Sequence, residues 1–445
     1  ASQARRVLPS AEVIALERGR DVSYGSCGIP YNIGDPGRRI DDLIAISKER
    51  FLSERKIEVR TEHEARAIDT EKKKVEVWDI EGKKAYDLPY DKLVVATGAR
   101  AFRPPLEGID LPGVFVLREL SHGAAIKAFI AERKPARAVI VGAGYIGAEM
   151  AEALRRLGIQ VTVLEIMDQA LPGWQPEIAA LLEQELLRNG VALEIQIKVG
   201  AIESTRDGGL RVQTDRGAFE ADLVLVSVGV RPNTELAQQA GIALGETRAI
   251  AVDGRMRTDR PDVFAAGDCA EAYHLVSKRP AYIPLGDTAN KQGKVAGANA
   301  AGADRVFRGI VGTAGFKAFE LQVARTGLGA YEIQKLSIEA VAALSEHQSV
   351  APSYPGSQTI TTVLFAEVPS GRLLGAQMIG RAPVGKRIDV LATAITAGMT
   401  VDDVEALDLV YAPPLAPVYD PILVAATVAR KQVARAGKGT PNGRG

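Results

Sequence analysis

Arg137-Ala138-Val139-Ile140-Val141-Gly142-Ala143-Gly144-Tyr145-Ile146-Gly147 decides the fold. The five residues before Gly142 read as a strand, and a glycine-rich turn follows at once. A helix is predicted from Ala148 to about Leu157, and Val161-Thr162-Val163-Leu164-Glu165 reads as the next strand, closing on an acid. Glycines at this spacing permit a tight turn and let the backbone approach a pyrophosphate, whose charge the helix N-terminus stabilises. Gly142, Gly144, Tyr145, Ile146, Gly147 and Glu165 are therefore expected to bind a dinucleotide. Glu165 would accept from the 2′-hydroxyl of NADH and repel the 2′-phosphate of NADPH. Ile166-Met167-Asp168 offers that phosphate no arginine, so NADH is predicted over NADPH.

The pattern is doubled. Asp222-Leu223-Val224-Leu225-Val226-Ser227-Val228-Gly229 echoes Asp91-Lys92-Leu93-Val94-Val95-Ala96-Thr97-Gly98, and a strand Glu12–Glu17 ends on an acid as the later one ends on Glu165. Two copies of one unit predict two Rossmann-like domains, one holding a flavin dinucleotide (FAD) and the other a nicotinamide. Glu17, Arg18, Ala96, Thr97, Gly98 and Gly229 are their expected contacts. Gly142 precedes Glu165 by 23 residues, and the same count back from Glu17 falls before Ala1, so the first strand and its glycine turn are expected upstream of the sequence given. Val263-Phe264-Ala265-Ala266-Gly267-Asp268 is a short strand whose terminal Gly267-Asp268 can reach a ribityl or pyrophosphate group. Residues 284–300 read as a small-residue helix against the cofactor, with Pro284, Leu285 and Ala289 nearest.

A chain of 445 residues exceeds one hydrophobic core. The expected division is α/β throughout. FAD-binding segments occupy 1–108 and 233–309, an NAD-binding domain 109–232, an α+β dimerisation domain 310–432 and a flexible tail 433–445. Residues 41–56 are expected to be helical and 57–90 to form antiparallel strands. Lys plus Arg and Asp plus Glu are equal at 55 each, which argues against nucleic acid as a partner. No apolar run reaches the roughly 18 residues that span a membrane. Two cysteines cannot form a disulfide framework, so a cytoplasmic setting is expected. No metal site is read from the sequence.

One of those cysteines lies in Tyr24-Gly25-Ser26-Cys27-Gly28-Ile29-Pro30-Tyr31-Asn32-Ile33-Gly34. Backbone N–H groups and a helix start beside Cys27 favour the thiolate, the nucleophilic form. Cys269 has no CxxC or CxxxxC spacing to it and reads as structural.

Together these residues resemble the flavin-dependent pyridine nucleotide–disulfide oxidoreductases over nearly the whole chain. Ser26-Cys27-Gly28-Ile29-Pro30-Tyr31, with a single cysteine, is similar to the coenzyme A-disulfide reductase branch; the CxxxxC pair of the glutathione-reductase branch is absent. Tyr411-Ala412-Pro413-Pro414 and Tyr354-Pro355-Gly356 resemble segments of that branch that carry a tyrosine into the partner subunit's active site. The resemblance implies a homodimer with a shared site. It also implies coenzyme A contacts at Gln3, Arg6, Ser23 and Ser26, the last standing where relatives often carry Asn. The reaction implied runs from NADH through the flavin to a mixed disulfide of Cys27 with coenzyme A, releasing thiols. None of the four histidines falls in a recognised motif, so Tyr411 and Tyr354 are the expected proton donors. No appended rhodanese-like domain is visible, so a fused sulfur-transfer step is not expected. A persulfide or polysulfide of coenzyme A fits the same chemistry. The competing readings are an NADH oxidase or peroxidase that cycles Cys27 through a sulfenic acid, and a flavoprotein that reduces metals or other acceptors.

Overall fold

The computed structural model describes residues 1–438. Its centre is the unit built on the glycine turn. Strand Arg137–Val141 runs into helix Tyr145–Arg156, and strand Gln160–Leu164 returns beside the first. Five parallel strands form this sheet in the order 191–194, 160–164, 137–141, 223–226, 114–116. Their near-continuous apolar sequence fits a sheet covered on both faces. Ile140, Val163 and Leu225 are fully buried. An antiparallel three-stranded sheet, 199–204, 210–214 and 217–221, packs beside it.

The other nucleotide unit is arranged differently. Strand Ile14–Glu17 pairs in parallel with Glu58–Thr61, and Leu93–Val95 pairs in parallel with Val263–Ala265. Among the described residues the two pairs stay separate, with a cleft between them. The strand at 58–61 corrects the expectation of antiparallel pairing from 57 onward. It crosses over through helix Lys48–Arg55 and so lies parallel to its predecessor, as helical crossovers require. The antiparallel part begins at His63, in the three strands 63–69, 74–79 and 84–89.

The helix expected over 41–56 is broken. A 3₁₀ turn spans Ile40–Leu43, and the α-helix starts at Lys48 behind Ser47, whose hydroxyl accepts from the N–H of Arg50. A serine cap satisfies an orphan N–H that a continuous helix would leave no reason to cap.

From Ala314 onward five antiparallel strands form the C-terminal sheet in the order 314–318, 321–327, 373–380, 359–367, 340–348. Helix Pro421–Lys438 packs against the two strands 340–348 and 359–367. It runs past 432, where a flexible tail was expected, because Ala425, Ala426, Ala429 and Val433 continue one buried stripe. The rest of that expected tail, 439–445, lies outside the described residues.

Two buried carboxylates fasten the nicotinamide-type unit to this sheet. Glu152 accepts from the N–H of Phe319 at 2.8 Å and pairs with Arg156 and Lys317. Glu185 accepts from Arg188 and pairs closely with Arg381. No described helix is long and apolar enough to cross a membrane.

Candidate active site

The thiol turn is anchored from beneath. Ser26–Gly28 is a 3₁₀ turn leading into helix Ile29–Ile33. Ile29 and Ile33 are fully buried, worth about 2 kcal/mol each in apolar burial, while Cys27 and Tyr31 face outward. A Cβ on Gly123 would come within 2.6 Å of Ile29, so the helix behind it must carry glycine there. Lys127 of that same helix donates to the carbonyls of Asn32, Asp35 and Arg38, closing the C-terminal end of the thiol helix. Ser23 and Ser26 line the adjoining cleft. Gln3 and Arg6 lie on the first helix, Ser2–Val7, which packs close against Gly297.

The cleft between the two strand pairs measures about 2130 Å³ and is lined by Glu17, Arg18, Ala96, Thr97 and Gly98. Glu17, at its strand end, accepts from the N–H of Gly19 at 2.7 Å. Thr97 donates to the carbonyl of Asn233, whose amide donates back. Gly98 takes a φ of +66° at the end of its strand. Asp268 pairs with Arg118, a cleft-lining residue. Gly267 approaches Ala289, and its N–H donates to Gln292, so the predicted helix of 284–300 does lie against this turn; it begins at Gly286. The Tyr282 hydroxyl is buried beside Asp268 and Arg118 with no hydrogen-bond partner among the described residues; burial, reinforced by Asp268, holds its ionisation above the ordinary range. A cleft lined by Glu17, Arg18 and Arg118, with Asp268 paired to that last arginine, fits a flavin dinucleotide.

The second site is tighter. Gly142 has a φ of +104°, and a Cβ there would lie 2.7 Å from the Ser227 carbonyl oxygen. A Cβ on Gly147 would lie 2.1 Å from the Gly142 oxygen, whereas nothing stands within 4 Å of one on Gly144. The turn is closed behind and open in front, which fits a pyrophosphate. Gly229 also needs its glycine, at a φ of +104°. Ile146 is half-buried. Tyr145 stacks on Phe316 at 4.9 Å and meets Trp174 edge-on. Glu165 is buried, and its carboxylate accepts from the N–H groups of Ala143 and Met167 at 2.8 and 2.9 Å. Its first task is thus to hold the glycine turn, and only its remaining lone pairs are left for a ribose.

Tyr354 and Tyr411 are exposed, and neither lines the cleft. Their loops meet: the N–H of Ala351 donates to the Pro413 carbonyl, and that of Tyr354 to Ala351. Val410, Leu415, Val418 and Tyr419 are exposed around them, an apolar surface rimming the same loop. Cys269 is buried, and burial pushes its thiol up, as a structural cysteine requires. Among the described residues no cluster of His, Cys, Asp and Glu is fit to hold a metal.

Sequence reasoning missed Arg118, Asn233, Tyr282 and the partner of Tyr31. The hydroxyl of Tyr31 donates to Glu149 at 2.7 Å. Those two residues lie 118 apart in the chain.

Residues 1–293 match the pyridine nucleotide-disulphide oxidoreductase family, and residues 313–421 match the dimerisation domain of the same family. The chain belongs to this family. It is 37% identical over 429 residues to a CoA-dependent NAD(P)H sulfur oxidoreductase of Pyrococcus furiosus, covering 96% of this chain and 95% of that one. It is 33% identical over 435 residues to an NADH oxidase of Methanocaldococcus jannaschii, covering 97% and 96%. The structure of an NAD-dependent persulfide reductase from A. fulgidus superposes with a TM-score of 0.94 at 39% identity, covering 98% of this chain and 81% of that one.

Proposed function

We propose that this chain is an FAD-dependent NADH oxidoreductase that reduces coenzyme A disulfide, or a persulfide or polysulfide of coenzyme A, through Cys27. The observation that carries the proposal is the single outward-facing thiol in the 3₁₀ turn before a buried helix, next to Ser26 in the lining of the large cleft. The CoA-dependent relative supports it. When bound, the flavin would carry an electron pair from the nicotinamide to the mixed disulfide at Cys27. Glu17, Arg18, Thr97, Gly98 and Asp268 would hold it. Gly142, Gly144, Gly147 and Glu165 would hold the nicotinamide dinucleotide. Cys27 attacks one sulfur of the disulfide as thiolate, the first thiol leaves, and a mixed disulfide forms. Gln3, Arg6, Ser23 and Ser26 would bind the coenzyme A moiety.

The exposed Tyr354 and Tyr411 loops and the matched dimerisation domain support a homodimer in which a tyrosine of each subunit protonates the leaving thiol of the other. The segments 1–108 with 233–309, 109–232 and 310–432 would be its flavin, nicotinamide and dimer parts, in a cytoplasmic enzyme. The NADH oxidase relative supports a second reading, oxygen or peroxide reduction through a Cys27 sulfenic acid. Anaerobic NADH oxidation, measured in turn with coenzyme A disulfide, polysulfide and peroxide, separates them. Fast coenzyme A disulfide or polysulfide turnover supports the first reading, and turnover of peroxide alone supports the second. The same assay with NADPH is expected to give a kcat/KM at least about tenfold lower, because the buried Glu165 disfavours a 2′-phosphate. Equal values would remove Glu165 from specificity.

A further inference from the structure

We propose that Tyr31 and Glu149 form a proton relay for the disulfide chemistry at Cys27, an inference that rests on the function proposed above. Cys27 and Tyr31 are four residues apart and both exposed, while Ile29, Pro30, Asn32 and Ile33 between and beyond them are buried. Cys27 lies in the 3₁₀ turn Ser26–Gly28 and Tyr31 in the helix that continues it, so the two residues are about one turn of backbone apart. Glu149 sits on the other side of the contact, on helix Tyr145–Arg156, which starts at the glycine turn. The pair therefore joins the thiol helix to the dinucleotide helix through one 2.7 Å hydrogen bond.

The surroundings suit a group that exchanges a proton near neutrality. Burial raises the Glu149 carboxyl to about 7, the Tyr31 hydrogen bond opposes this, and Glu152 adds to it. Burial and Glu149 also raise the Tyr31 hydroxyl. From the C-terminal sheet Lys317 faces this corner and pairs with Glu152, as does Arg156 from the same helix as Glu149. Both nearby cations are thus engaged by Glu152, and Glu149 keeps a neutral partner in Tyr31.

The reaction needs such a store. Reducing a disulfide follows NADH + H⁺ + RS–SR → NAD⁺ + 2 RSH. Two sulfurs leave as thiolates, so two protons are consumed; one derives from the hydride and one from solution. The partner tyrosine serves the thiol released when Cys27 attacks. The relay serves the second release, when the mixed disulfide S–S bond accepts two electrons and breaks. Tyr31 gives its proton to the departing thiolate and takes that of Glu149, leaving a carboxylate. The exposed edge of Tyr31 reloads it from solvent.

The test uses the flavin-loaded full chain and the variants Glu149→Gln and Tyr31→Phe. The infrared band of a protonated carboxyl, titrated across neutral pH, is expected in the wild type, absent in E149Q and shifted to higher pH in Y31F, which loses a bond that favours the carboxylate. Disulfide turnover at neutral pH should fall at least about tenfold in E149Q, and the limb of the pH profile near 7 should vanish. A purely packing role would leave that limb in place. A carboxyl band that titrates in the ordinary carboxylate range, or identical turnover profiles in wild type and E149Q, overturns the relay alone. A wild type that turns over no disulfide overturns the functional reading and the relay with it.

Discussion

The two nucleotide units carry the same sequence pattern and differ in one structural respect. In the second, the strand that delivers the glycine turn sits in the middle of a five-stranded sheet, with 160–164 on one side and 223–226 on the other. In the first, the described strands form two separate pairs, and the space between them is a cleft of about 2130 Å³. A parallel strand paired on both edges and covered on both faces is held rigidly, and the three inner strands of this sheet are all paired on both edges. The second unit is therefore a finished scaffold whose geometry is fixed before any ligand arrives. Among the described residues the first unit presents two strand pairs facing a cleft, and the buried Tyr282 hydroxyl has no hydrogen-bond partner.

The largest effect that would break this comparison comes from Gly142→Ala. The new Cβ meets the Ser227 oxygen at 2.7 Å, and the φ of +104° is strained for any L side chain. NADH binding should weaken on the order of 100-fold, while flavin retention is unchanged. Loss of flavin as well, followed by its absorbance after gel filtration, would show that the two sites are not independent.

A smaller effect is expected at the joint between the second unit and the C-terminal sheet. Glu185→Ala leaves Arg381 and Arg188 without their shared, buried partner. Denaturant unfolding should show a loss of about 3 kcal/mol, with NADH affinity retained. A loss below about 1 kcal/mol would mean that solvent satisfies both arginines.

The smallest is a pH effect. The Glu149 carboxyl holds its proton more tightly in the folded chain, near 7, than in the unfolded one, near 4.5. Between those values the native state binds more protons, so stability falls as pH rises through this window. The Tm of wild type, relative to E149Q, should decline across it and level off above about 7. A parallel pair of curves would place Glu149 in the ordinary carboxylate range.

Much of this architecture was legible because it is written locally. The glycine turn, its flanking strands and the acid at Glu165 lie within one short stretch, as do Gly267-Asp268 and the helix over 286–300. What escaped depends on distance or direction. A four-residue strand such as 58–61 has the same alternation whether its neighbour runs parallel or antiparallel. Asn233 clasps Thr97 and Arg118 pairs with Asp268 across more than 100 residues, and no spacing rule joins them. Tyr31 stood in the quoted thiol stretch, but its partner Glu149 lies 118 residues away, and no spacing rule joins them either. Glu165 was assigned to the ribose by its position after the strand; only in the fold do both its oxygens turn out to hold backbone amides.

The central claim is that the chemistry passes through Cys27. Its most direct test is anaerobic turnover of coenzyme A disulfide by wild type and Cys27→Ser, with reduction of the bound flavin by NADH followed in the same samples. Serine keeps the shape and removes the nucleophile. Flavin reduction should be preserved within about twofold while disulfide turnover falls at least about 100-fold. Disulfide turnover that survives in Cys27→Ser would contradict the account and move the chemistry to the flavin alone.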